Sequence, residues 1–307
     1  MSLVQAPEAV VMIRPHHFHS NPETRSDNAF QTQADGQNVA EQARNEFDAA
    51  VTKLLSVGVR VHVFEDETDQ TPDSIFPNNW FSTHAGGHVA IYPMFAKNRQ
   101  AERRADVIEM LKRDYRVQDV IDFSGLEEDG LALEGTGAMV LDHIERVAYT
   151  VESNRADPVI LERFCTHFGY EPLAFEARDR FGKRVYHTNV LMGIGTHFAL
   201  VCLDMIVDPT RRAMVRERLE LSGRQVIELS EAQIEAFAGN AIELTGTTRV
   251  LALSQTAIDA LQPDQIKVIE KTAKLVPLSI PTIETAGGSV RCMLAGVHLA
   301  RRKSRIN

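Results

Sequence analysis

Five chemically capable residues recur in this chain at nearly constant spacing. Asn79, Glu134, His187, Asn240 and Cys292 follow one another at intervals of 55, 53, 53 and 52 residues. A period of that size marks repeated supersecondary units, each unable to bury its apolar face alone. The hydrophobic pattern keeps the same phase. Val39, Ala43, Phe47, Ala50, Val51 and Leu54 recur at helical spacing and predict a helix over 38–55, stopped at Gly58. Further helices are expected over 101–114, 157–168, 209–221 and 263–272, the third of these opening on Pro209. Short apolar strands follow them, and paired strands precede them. Each unit therefore reads hairpin, helix, strand, with one of the five residues at the start of its hairpin. The fold class is α/β. Closure of the units around an axis would bring Glu134, His187 and Cys292 face to face.

The Cys292 stretch reads Gly287-Gly288-Ser289-Val290-Arg291-Cys292. Two glycines let the backbone turn tightly and approach a ligand closely. An apolar run follows, so Cys292 is expected in or beside a strand. A thiol is a strong nucleophile once a nearby cation or base lowers its pKa. With a histidine and a carboxylate it makes the parts for attack on an sp² carbon. Cys292 would attack, and His187 would protonate the leaving nitrogen and then deprotonate water. Glu134 would orient His187 or accept hydrogen bonds from the substrate. Cys165, on an apolar helix face, and Cys202, in an apolar strand, read as core.

Composition removes other classes. A net charge of −9 argues against a nucleic-acid partner. Three cysteines build no disulfide framework. No apolar run reaches the ~18–20 residues of a membrane span, and no basic-then-apolar leader is visible, so a cytoplasmic protein without a membrane partner is expected. His16-His17-Phe18-His19 lacks companion ligands and reads as a pocket rim or structural loop, so no metal is expected. Gly135-x-Gly137 lacks the third glycine of a dinucleotide site, and no cofactor is expected.

Four stretches carry a family resemblance: Phe76-Pro77-Asn78-Asn79, Glu134-Gly135-Thr136-Gly137, His187-Thr188-Asn189 and Gly287-Gly288…Cys292. In order and spacing, over about 9–299, they resemble the Phe-x-Arg-Asp, Glu-Gly-Gly-Asp, His-x-Asp and C-terminal Gly-Gly…Cys motifs of the guanidino-group-modifying superfamily. Its members include arginine deiminases, dimethylarginine dimethylaminohydrolases and amidinotransferases. The resemblance implies the five-bladed α/β propeller called the pentein fold. It implies one catalytic domain over 1–307, with 1–8 a loose leader and 300–307 a loose basic tail. It also implies Cys292 as nucleophile, His187 as acid/base and Glu134 as a substrate-binding carboxylate. A homodimer is implied by resemblance alone.

The departures point to the substrate. Asn79 and Asn189 stand where the family has aspartates, and Gly137 stands where it has the second acid. A carboxylate suits a guanidinium cation. An amide, with one acceptor and two donors, suits a neutral group showing both C=O and N–H. A ureido substrate is therefore expected, citrulline first, giving ornithine, ammonia and carbon dioxide. The resemblance to citrulline-utilising hydrolases within the superfamily agrees. Asp66 or Asp73 would hold an α-amino group and Arg14 or Arg291 an α-carboxylate, with Phe76, Asn78 and Asn240 lining the pocket. The alternatives are a deiminase or dimethylarginine hydrolase, an amidinotransferase, and the non-enzymatic ribosome-binding use of the fold.

Overall fold

A computed structural model describes residues 4–32 and 38–302. Fifteen strands form five three-stranded sheets. In chain order they are β1 (Ala9–Pro15), β2 (Arg60–Asp66), β3 (Phe81–His84), β4 (His88–Ile91), β5 (Asp119–Asp122), β6 (Met139–Asp142), β7 (Val147–Val151) and β8 (Glu171–Phe175). The rest are β9 (Met192–Ile194), β10 (Phe198–Val201), β11 (Gln225–Glu228), β12 (Ile242–Thr245), β13 (Arg249–Ser254), β14 (Lys274–Leu278) and β15 (Ala295–Gly296).

Four sheets repeat one pattern: an antiparallel hairpin, a helical crossover, then a third strand parallel to the second. A tight turn suffices for the antiparallel pair, whereas a parallel neighbour needs the longer crossover. The fifth sheet is made from both ends of the chain. β15 pairs antiparallel with β1, and β1 runs parallel to β2 across the helix Val39–Ser56. That pairing closes the ring, as the hairpin-helix-strand repeat and the pentein resemblance led one to expect.

The crossover helices begin and end where local chemistry says they should. Asp157 caps Pro158–Phe168 by accepting the Val159 and Ile160 N–H groups, and Pro158 fills a first-turn position that needs no donor. Gly169 ends that helix at φ 66, in the left-handed region open to glycine. Asp208 and Pro209 repeat the start for Pro209–Leu221. Each helix packs its apolar stripe on its own sheet, so the core is split into several buried clusters around the ring.

Both ends are tied down further than expected. Gln5 lies inside the molecule, donating to the Leu141 and Ile194 carbonyls and accepting the His143 N–H. Thr245 binds the Ala6 and Pro7 carbonyls. The described part of the supposed leader is therefore packed between blades, because its Gln5 amide donates to carbonyls of β6 and β9 and its own Ala6 and Pro7 carbonyls accept from Thr245 of β12. Arg302 likewise bonds Asp114, Lys112 and Tyr115 through backbone and side chain. The remainder of the expected loose ends, 1–3 and 303–307, lies outside the described residues. Among the described residues, no helix is long and apolar enough to cross a membrane.

Candidate active site

The repeat places a short helical turn at the start of the hairpin in four blades. Asn79 closes the turn Pro77–Asn79, Glu134 precedes Gly135–Ala138, His187 precedes Thr188–Leu191, and Cys292 sits within Val290–Met293. These segments read as strand in the sequence, yet they are helical. The reason is length: four residues make one turn, too few to show a 3.6-residue period when every face is buried. The turns touch around the axis and are stitched by side chains. Thr136 donates to the Asn78 carbonyl, Thr188 to Ala138, and Asn240 to Asn189, while Asn240 accepts the Arg291 N–H.

Cys292 and His187 line one small cavity of about 20 Å³, together with Phe76, Asn79 and Asp73. The Cys292 Sγ accepts two amide N–H groups, from Asn189 at 3.2 Å and Asn240 at 3.3 Å. Two such donors suit a sulfur that carries negative charge. His187 Nε2 donates to Glu134 Oε2 at 2.8 Å, which leaves Nδ1 as the proton acceptor. Glu134 is fully buried. Burial alone would raise its pKa, but Arg155, the His187 bond and Arg99 outweigh it and hold the carboxyl far below the usual range. Burial, with help from Arg155 and Arg99, lowers His187 against the pull of Glu134, so the imidazole is neutral at neutral pH.

Two arginines escaped the sequence reading. Arg99 lies in the short helix Lys97–Gln100. It is clamped by Glu102 at 2.8 and 3.0 Å, donates to Asn79 Oδ1 at 3.0 Å and stands 3.5 Å from Glu134. The Arg99-x-x-Glu102 spacing was a usable signal. Arg155 lies in the loop after β7, bound to Asp27 at 2.6 Å and set 3.4 Å from Glu134; nothing in its local sequence marks it. Asn28, beside Asp27, donates to the Ala286 and Gly287 carbonyls and draws its loop across the cavity.

The remaining expected contacts divide. Asp73 lines the cavity; Asn21 donates to one oxygen, and its Oδ1 has no hydrogen-bond partner among the described residues. Asn189 Oδ1 also lacks a partner. Asn78 is buried behind the turn, its carbonyl taken by Thr136. Asp66, by contrast, spends its carboxylate on Thr68, Thr71 and Ser74 in its own loop. Arg14 pairs with Asp48 and Glu65 away from the cavity. Arg291 turns its side chain to the Leu294 carbonyl, because Cys292 next to it takes the cavity side. His16 pairs with Glu65 and His19 with the His17 carbonyl, so that tract is no pocket rim. Among the described residues, no three His, Cys, Asp or Glu side chains are grouped to hold a metal.

Gly137 explains one departure from the family motif. A Cβ there would lie 2.0 Å from Asn79 Nδ2 and 2.8 Å from His187 Nδ1, so no acid fits beside this Asn79.

Solved structures share this fold. The N-terminal domain of ArgZ, an arginine dihydrolase of Cyanobacteria, superposes with a TM-score of 0.74 at 15% identity, over 95% of this chain and 98% of that one. AgrE in complex with L-arginine gives 0.73 at 15%, over 96% of this chain and 41% of that one. A dimethylarginine dimethylaminohydrolase adduct gives 0.64 at 14%, over 96% and 100%. No curated protein matches in sequence. The family model described as N,N dimethylarginine dimethylhydrolase, eukaryotic, matches residues 14–299, nearly the whole chain, and the chain belongs to that family of the guanidino-group-modifying pentein enzymes.

Proposed function

We propose that this protein is a cysteine-dependent hydrolase of a ureido amino acid, with citrulline the first candidate. Cys292 attacks the ureido carbon. The thiol proton passes to His187 Nδ1 as the sulfur adds, the ornithine nitrogen leaves with that proton, and a carbamoyl thioester remains on Cys292. His187 then takes a proton from water, the hydroxide displaces the sulfur, and the released carbamate breaks down to carbon dioxide and ammonia. One water is consumed per ureido group. Glu134 holds His187 in the tautomer whose Nδ1 is free. The Asn189 and Asn240 N–H groups steady the sulfur as it gains and loses charge.

One observation carries the choice of a neutral substrate: apart from one oxygen of Asp73, the carboxylates around the cavity already face an arginine or His187. Glu134 faces Arg99, Arg155 and His187; Glu102 clamps Arg99; Asp27 clamps Arg155. A guanidinium set beside those arginines, with Asn79 and Asn189 in place of acids, would be poorly paired. Leaving a desolvated charge unpaired costs on the order of several kcal/mol. The single free oxygen of Asp73 supports a second reading, hydrolysis of a guanidino group, which the dimethylarginine hydrolase family also favours.

A space of about 20 Å³ holds roughly one water. Substrate access therefore requires the Asp27–Asn28 loop to lift. The test is ammonia release from citrulline, arginine, methylated arginines, agmatine and carbamoylputrescine, with Cys292→Ser as control. Citrulline should turn over fastest. Equal or faster turnover of arginine or a methylated arginine refutes the ureido reading and leaves the guanidino one.

A further inference from the structure

A second cavity, of about 380 Å³, shares no lining residue with the one around Cys292. That volume lies in the range of small-ligand sites. Its walls carry Arg60 from β2, Arg146 from the β6–β7 turn and Arg301 from the C-terminal segment, and its floor is His143 and His298. The one acidic residue on its wall is Glu8. None of the three arginines forms an ion pair among the described residues, although most arginines elsewhere in the molecule do. In a chain of net charge −9, three unpaired guanidinium groups drawn from separate parts of the ring concentrate positive potential in one place.

The floor is built rather than accidental. The His143 and His298 rings stack at 3.8 Å, and Tyr170 fixes His143 through Nδ1 at 2.9 Å. Arg146 is fixed as well, donating to the Phe168 and Gly169 carbonyls and lying 3.8 Å over the Tyr170 ring. Burial, then the cationic side chain of Arg291 behind it, pushes His298 down to about 4. Burial and the same surroundings, His298 first, push His143 well below its usual value. Arg291 itself, half-buried without a carboxylate partner, is pushed down to about 10 by burial. It lines an inner chamber that shares Pro7, His143 and His298 with the cavity, where Glu243 is taken by Arg249 and Thr196. Around the outer cavity the acids are Glu8 on its wall and Asp114, which lies within electrostatic reach of Arg301.

We infer that this cavity binds a small multivalent oxyanion of the phosphate class, a diphosphate or phosphate ester, held by Arg60, Arg146 and Arg301 over the paired imidazoles. Guanidinium forks match phosphate oxygens in geometry and charge, and neutral imidazoles add N–H donors. The site stands apart from the thiol, so it neither needs nor decides the hydrolase reading.

The full-length protein should gain at least 3 °C of melting temperature in millimolar inorganic pyrophosphate over sodium chloride of matched ionic strength. The double change Arg60→Glu with Arg301→Glu should remove that gain while leaving the circular dichroism spectrum unaltered. No gain over chloride in the wild type overturns the inference. An equal gain in the double variant also overturns it, and assigns the anion to Arg99 and Arg155. Should the reversal unfold the chain, the single changes Arg60→Gln and Arg301→Gln must each weaken pyrophosphate binding at least threefold by calorimetric titration; unchanged affinity in both refutes the site.

Discussion

Replacing Gly137 by alanine adds one methyl group where the hub has no space. The new Cβ would stand 2.0 Å from Asn79 Nδ2, 2.8 Å from His187 Nδ1 and 2.9 Å from His187 Cε1. Ordinary contact between such atoms is about 3.5 Å. Asn79 must therefore move by more than an ångström, and His187 by roughly half of one. Moving Asn79 breaks its 3.0 Å bond to Arg99, a hydrogen bond to a charged group worth about 1.5–3 kcal/mol. Overpacking of a filled site adds about 1–3 kcal/mol. Alanine returns up to about 1 kcal/mol through its better helix propensity, since Gly137 lies within Gly135–Ala138. The balance is a loss of about 2–5 kcal/mol, measured by urea unfolding. Because His187 is displaced, turnover of the best substrate should fall by about 100-fold even where the protein stays folded. A Gly137→Ala protein within 1 kcal/mol of wild type and within threefold of its rate would show that the hub is looser than this packing implies.

Three further outcomes follow from the same geometry. Iodoacetamide near pH 8 should label Cys292, which lines the cavity, ahead of Cys165 and Cys202, whose thiols burial pushes up to about 12 and 11; peptide mapping decides, and first labelling of either core thiol counts against Cys292 as nucleophile. Glu134→Gln should lower turnover at least 100-fold and cost about 3–5 kcal/mol in urea unfolding, because it leaves Arg99 and Arg155 short of a counter-charge; a stable, active variant contradicts the ion-pair account. Stability should fall as pH drops below 6.5: His298, His143, His84 and His187 all have folded pKa values below the unfolded one, so the unfolded chain takes up protons the fold refuses. His298 alone, lowered from 6.5 to about 4, accounts for about 3 kcal/mol by pH 4, and a urea midpoint flat from pH 7 to 4.5 would contradict it.

The repeat was legible because one polar residue per blade must face the axis. Period and phase were therefore written into Asn79, Glu134, His187, Asn240 and Cys292 without any long-range information. The crossover helices were legible for the same kind of reason, local capping and 3.6-residue spacing, as Asp157-Pro158 and Asp208-Pro209 illustrate. What stayed hidden was anything decided by closure of the ring. Arg155 reaches Glu134 only because the chain turns back after β7. Arg291 and Cys292 line different cavities because neighbours on a helical turn point about 100° apart, and nothing in the order of residues says which takes the site. Asp66 and Asp73 share one acidic loop; only the fold shows that the first serves the loop and the second the cavity.

The charges around the thiol form a chain rather than a set of separate contacts. Asp27 leads to Arg155, Arg155 to Glu134, Glu134 to His187 and Arg99, and Arg99 to Glu102 and Asn79. A buried chain of this kind is stable only while its signs alternate, because each lost partner strands a charge away from water. Asn79 fits at the end of that chain because its Oδ1 satisfies Arg99 without adding charge, and its Nδ2 donates toward the Glu134 carbonyl. Gly137 fits because that amide occupies the space an acid's side chain would need. Two of the three departures from the family motifs, Asn79 and Gly137, are thus one change seen from two sides. The acid that would answer a cationic substrate has gone, and the amide in its place closes the protein's own charge chain. On the ureido reading proposed above, a ligand that joins this site without disturbing the chain brings no net charge at its reacting end; a guanidino substrate would instead have to lean on the free oxygen of Asp73.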